Sequence, residues 1–184
     1  GLEGGMCVAR RDHYLIDGYN VIHAWPELKR LCGDLAAARD ALIHLLTEYG
    51  AFEKYEITLV FDAMFTEDEE RVERVGRHTR IIYTGAGETA DSRIERLAYE
   101  EAHRGRTVYV VTSDGAVESV ILGAGACRIP SLEFRKQVLR VKRELKRDYL
   151  GIVRLPEARY VVSDRLDRDT AAKLDALRKQ TSED

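Results

Sequence analysis

The chain has 184 residues, of which 45% are apolar and 33% charged, and its formal net charge is −3. That length and composition suit one globular domain with a real core and exclude a disordered or fibrous chain. The small negative charge excludes a generic basic coat for nucleic acid. No apolar run approaches the ~20 residues that span a bilayer, so no membrane insertion is expected.

Cys7, Cys32 and Cys127 are widely spaced and include no CxxC pair. This points away from zinc and disulfides and toward a reduced, cytoplasmic setting. Cys127 is expected to pack as a small apolar group in a short buried strand. Residues 1–13 read as an N-terminal extension without a signal-peptide core, the stretch ahead of Met6 as an expression remnant, 14–150 as the folded domain, and 151–184 as a tail with a helix near 163–179.

In chain order, residues 14–16 are an apolar run ending in Asp17-Gly18, the pattern of a buried strand and a turn. Asp34 is placed to cap a helix over 35–49, where Leu35, Ala38, Leu42, Leu45, Leu46 and Tyr49 keep helical spacing. Residues 57–61 form the next strand and end at Asp62. The highly charged stretch 66–77 is expected to be a solvated loop or helix, and 79–84 a strand. Residues 85–89 lead into a helix over 90–104 that Gly105 stops. TVYVVT (107–112) is the plainest strand and ends at Ser113-Asp114-Gly115; a short helix over 116–122 and a last strand at 126–129 follow. Pro130 and Ser131 open a long basic helix to 149. Near-continuous apolar strands alternating with helices predict an α/β fold whose parallel sheet is covered on both faces.

The acids fall where such a sheet would converge them. Asp17, Asp62 and Asp114 each follow a strand, and Asp91 opens the helix after the strand at 79–84. In a parallel sheet the carboxyl ends share one edge, where ligands bind. Converging carboxylates repel unless a cation is held. Hard ions such as Mg²⁺ or Mn²⁺ take oxygen ligands, orient water and neutralise charge on a phosphate. Phosphodiester cleavage is the chemistry that follows. Each acid also has a plainer reading: Asp17 and Asp114 as turn residues before glycine, Asp62 as a turn or cap acid, and Asp91 as a cap of its helix. Glu95, one turn after Asp91, and Ser113 are candidates for supporting contacts, although Glu95 is better placed to pair with Arg96 or face solvent. Asn20 could hold a carboxylate, a water or a phosphate oxygen, or cap a helix. Tyr19 or Trp25 could stack a base, although Trp25, beside Pro26, reads better as a loop anchor packed on the core. His23 lies near the Asp17 motif but has no ligand-like spacing to the other histidines.

LIDGYNVI, LVFDA, GETADSRIE and VVTSDGAV, in this order, resemble the NYN branch of the PIN-like nucleases and, more narrowly, the bacterial YacP-like proteins. The resemblance spans about residues 14–149. It implies a three-layer α/β/α PIN-like fold with a central, mostly parallel sheet. It also implies endonucleolytic cleavage of RNA, specifically mRNA in association with the ribosome, with a divalent ion. In the family's terms Asp17, Asp91 and Asp114 form the metal-binding core, and Asn20 and Asp62 complete or support it.

In SLEFRKQVLRVKRELKRDY (131–149), Phe134, Val138, Val141 and Leu145 make one apolar stripe. Lys136, Arg140, Arg143 and Arg147 share another face. Such a helix can dock on the body and offer a basic ridge to successive phosphates, or be an ordinary solvated face. The alternative function is a non-catalytic RNA- or ribosome-binding module on the same fold. A phosphatase of the aspartyl-phosphate type is disfavoured because DGYN, not DxD, follows the first strand. A DNA nuclease stays open, since a metal-activated water needs no 2′-hydroxyl.

Overall fold

A computed structural model describes residues 11–63, 69–113, 123 and 125–154, with side chains described up to residue 148. The expectations placed on Asp114, on the short helix 116–122 and on the tail 155–184 lie outside the described residues. The chain divides into two compact units, 1–142 and 143–184.

The first unit is built on a six-stranded sheet in the order β3-β4-β2-β1-β5-β6. The strands are β1 (His13–Asp17), β2 (Glu56–Phe61), β3 (Arg71–Val75), β4 (Thr79–Tyr83), β5 (Val108–Val111) and β6 (Cys127–Ile129). All neighbours are parallel except β3 and β4. The helices are α1 (Gly18–Ala24), α2 (Pro26–Lys29), α3 (Leu35–Glu53), α4 (Ala90–His103) and α5 (Ser131–Arg154), the last passing from the first unit into the second.

Two apolar faces explain the layering. Leu15, Val60, Ile82 and Val110 point to one side and pack against Ala90, Ile94, Leu97 and Ala98 of α4. On the other side an aromatic cluster joins strand to helix. The ring of Tyr14 lies 5.7 Å from that of Phe134, which is fully buried on α5, and 6.2 Å from that of Tyr49 on α3. Asp34 caps α3 by accepting from the Ala37 N–H at 3.1 Å, as its position in the sequence predicts. Val138 and Val141 are buried with Phe134, so these three members of the expected apolar stripe dock the helix, while Leu145 is only half-buried.

Two expectations are corrected. The segment RVERV is neither loop nor helix but the antiparallel edge strand β3. Its pattern is almost wholly exposed, because an edge strand can satisfy its backbone on β4 while its charges stay in water. Cys127 is in a strand as expected, but exposed rather than buried. Its strand is the opposite edge of the sheet and is only three residues long.

Candidate active site

The strand order reverses between β1 and β5: the chain runs outward through β2 and β4 on one side, then returns to β5 and β6 on the other. Ligand sites of open parallel sheets lie at such a reversal, beyond the carboxyl ends of the strands. Here that edge carries a cavity of about 590 Å³ whose lining includes Asp17, Tyr19, Asn20, Asp62 and Asp91.

Asp17 ends β1 and caps α1, its Oδ1 accepting the Asn20 N–H at 3.3 Å. The helix can start this close to the sheet only because residue 18 is glycine. A Cβ there would run into the ring of Phe61, the last residue of β2. Asp62 follows Phe61 and accepts the N–H of Ala90, the first residue of α4, at 3.5 Å. Asp91 sits in the first turn of α4, which Thr89 caps through the Ser92 N–H at 3.1 Å. Asp91 is therefore not the cap, and its carboxyl is within hydrogen-bonding reach of Asp17.

The carboxyl of Asp17 is pushed up to about 6, first by burial, and further by the charges of Asp91 and Asp62; the Asn20 N–H opposes this. A half-buried acid facing two other acids is the electrostatic signature of a cation site. Among the described residues no three His, Cys, Asp or Glu side chains form a ready-made metal cage. Mg²⁺ does not need one, since it commonly takes one or two carboxylates and keeps waters or phosphate oxygens for the rest. The donors present are hard oxygens, which fit Mg²⁺ or Mn²⁺.

Asn20 is not a helix cap. It lies in the first turn of α1, and its Oδ1 accepts twice, from the Ser113 N–H at 2.9 Å and from the Ser131 hydroxyl at 2.7 Å. Its amide thus ties the end of β1 to the loop after β5 and to the start of α5. Ser113 contributes a backbone donor in this contact. Ser131 is fully buried, and sequence reasoning had no signal for its role beyond its place after Pro130.

Trp25 is 1% exposed and donates from Nε1 to the Ser131 carbonyl at 2.8 Å. It is the anchor its position predicts and cannot serve as a base platform. Tyr19 keeps that possibility: it lines the cavity, with its hydroxyl accepting from Arg39 at 3.0 Å. His23 and Cys32 also line the cavity, with Cys32 Sγ 3.7 Å from His23 Nδ1. Glu95 is partly exposed and does not line it.

Lys136, Arg140, Arg143 and Arg147 are all exposed on α5. Lys136 shares its charge with Glu133 at 3.3 Å, so the first step of the ridge is partly neutralised. Arg135 is used structurally, its Nε donating to both oxygens of Glu27 at 3.0 Å.

A mostly parallel α/β sheet with acids and an amide gathered at its carboxyl edge defines a nuclease-type fold, and the chain belongs to the YacP-like NYN domain family, which it matches over residues 14–179. The uncharacterized protein YacP of Bacillus subtilis (strain 168) is 36% identical over 137 residues, covering 74% of this chain and 80% of that protein. A crystal structure of a mutant of Rae1 (YacP) from Bacillus subtilis superposes with a TM-score of 0.69 at 31% identity, over 90% of this chain and 99% of that one. A second crystal structure of Rae1 (YacP) gives 0.69 at 30% identity, over 91% and 95%. No described helix is long and apolar enough to cross a membrane.

Proposed function

We propose that the protein is an endoribonuclease that hydrolyses RNA phosphodiester bonds at the Asp17 cavity with Mg²⁺ or Mn²⁺. The observation that carries this reading is Asp17 itself, a half-buried carboxyl raised to about 6 and facing Asp91 and Asp62 in a cavity at the carboxyl edge of the sheet. The bound ion would supply charge neutralisation on the phosphate and a readily deprotonated water. Asp17 and Asp91 would hold it, joined by Asp114 in the family's pattern. Asp62 would keep its carboxylate turned toward the first turn of α4, and so toward Asp91. Asn20 positions the rim by fixing Ser113 and Ser131.

An acidic cavity repels RNA, so binding needs positive charge elsewhere. Exposed Lys136 and Arg140 of the first unit supply it, and Arg143 and Arg147 of the second add to it. The substrate class implied by the family resemblance is mRNA, cut in association with the ribosome in the cytoplasm.

The test is cleavage of RNA with and without ribosomes, in Mg²⁺, in Mn²⁺ and in EDTA, with DNA alongside. Asp17→Asn should stop cutting while the protein stays folded. Cutting by that variant at the parent's rate would defeat the assignment. Binding of RNA or ribosomes with no metal-dependent cutting would leave a binding module in its place.

A further inference from the structure

The opposite edge of the sheet carries a second, basic cavity. It has a volume of about 110 Å³, and Arg74, Arg77, Arg80, Arg106, His13 and His78 line it. His13 begins β1 and Asp17 ends it, so the two cavities are separated by roughly 13 Å of strand at ~3.3 Å per residue. We propose that this cavity is a binding site for a phosphate group.

The first support is a conflict in the sheet. Arg74 of β3 and Arg80 of β4 are direct cross-strand partners, so their side chains leave the same face side by side. Like charges so opposed destabilise a sheet. Arg77 joins them from the tight turn between the two strands, where Gly76 takes a φ of +66° that a side chain would resist. None of these three arginines pairs with a carboxylate among the described residues.

The acids that could have neutralised them are already engaged. Glu56 is held by His78 Nδ1 at 2.5 Å. Glu101 is held by Arg106 Nε at 3.4 Å and faces His13 Nδ1 at 3.4 Å. Four arginines against two glutamates leave an excess of two positive charges before the histidines are counted, a balance that suits a phosphate dianion. The floor is polar as well as buried: His13 is 4% and Thr58 2% exposed, and His13 Nε2 lies 2.7 Å from Thr58 Oγ1.

Size and geometry narrow the ligand. A drug-sized ligand takes ~300–1,000 Å³, so this cavity admits a phosphate-sized anion and little more. Guanidinium forks match the tetrahedral oxygens of phosphate in bidentate fashion. The group can come as free inorganic phosphate or as a phosphate of an RNA chain whose remainder lies outside.

The test uses the full chain in metal-free buffer, so it reads binding and is independent of cleavage at the acidic edge. Thermal unfolding is followed while inorganic phosphate replaces chloride at matched ionic strength, then with a short oligoribonucleotide carrying or lacking a 5′-phosphate. Arg74 and Arg77 are exposed, so Arg74→Gln with Arg77→Gln leaves the packing intact. Phosphate should raise the parent's unfolding temperature, and the double variant should bind at least tenfold more weakly, while Lys29→Gln, an exposed residue outside both cavities, responds as the parent does. Stabilisation by the 5′-phosphorylated oligonucleotide alone, lost in the double variant, would support the site and assign its phosphate to RNA. Equal unfolding temperatures in phosphate and chloride with no oligonucleotide effect, or equal responses of parent and double variant, would overturn the proposal.

Discussion

The Asn20 side-chain oxygen accepts the Ser131 hydroxyl at 2.7 Å across 111 positions of sequence, and the same oxygen accepts the Ser113 N–H at 2.9 Å. One amide thereby joins the carboxyl end of β1 to the start of α5. Asn20→Ala leaves the buried Ser131 hydroxyl without this acceptor, a loss of about 1–3 kcal/mol. Denaturant unfolding should show that loss, and RNA cleavage should fall further than Ser131→Ala makes it fall, because only Asn20→Ala also releases Ser113. Equal activity in the two variants would remove Asn20's positioning role.

Asp17 sets a pH dependence with a definite sign. Its carboxyl moves from an ordinary 3.8 to about 6 on folding, through burial and then Asp91 and Asp62. Its protonated form therefore adds stability fully present below pH 3.8 and lost as pH rises through about 6. Asp17→Asn keeps a residue suited to the helix cap and removes the charge. In EDTA it should unfold later than the parent at pH 8, by on the order of 2 kcal/mol, and match it near pH 4. Adding Mg²⁺ should close the gap by stabilising the parent alone. A variant no more stable than the parent at pH 8 would contradict the electrostatic picture.

Arg93 is 5% exposed and holds two glutamates, with Nη1 donating to Glu70 at 2.8 Å and Nε to Glu88 at 2.6 Å. It pins the approach to β3 and the loop that delivers Asp91. Its guanidinium also holds both carboxyls below their usual range. Arg93→Met should cost about 3 kcal/mol near pH 7. Because Glu70 and Glu88 then regain ordinary acidity, stability should decline less steeply below pH 4.5 than in the parent. Urea titrations at several pH values measure both effects.

Arg140 is exposed on the helix whose opposite stripe is buried. Arg140→Glu should weaken RNA binding several-fold, and the dependence of binding on salt should become shallower by about one phosphate contact. The fold should be unaffected, because the residue lies outside the core. Filter binding over a salt series reads both quantities. An unchanged salt slope would place the RNA elsewhere.

The sequence by itself determined the alternation of strands and helices and the placement of acids at strand ends. Both are local properties: an apolar run of four to six residues marks a buried strand, and the residue that ends it faces the sheet's carboxyl edge. Asp17 and Asp62 were legible for that reason, and Asp91 from its place at the start of the helix that follows β4. The strand RVERV was not, because an edge strand with charges on both faces has no apolar period to read. Tertiary structure alone decided which residues meet. The order β3-β4-β2-β1-β5-β6 departs from chain order, so it brings Asn20 to Ser131 and Asp17 to Asp91 across separations that no local pattern encodes. It also sets Arg74 opposite Arg80 by the register of a hairpin. Asp17 shows the division most plainly: its position follows from the strand that precedes it, while its raised acidity comes from burial and two distant carboxylates that only the folded sheet brings near.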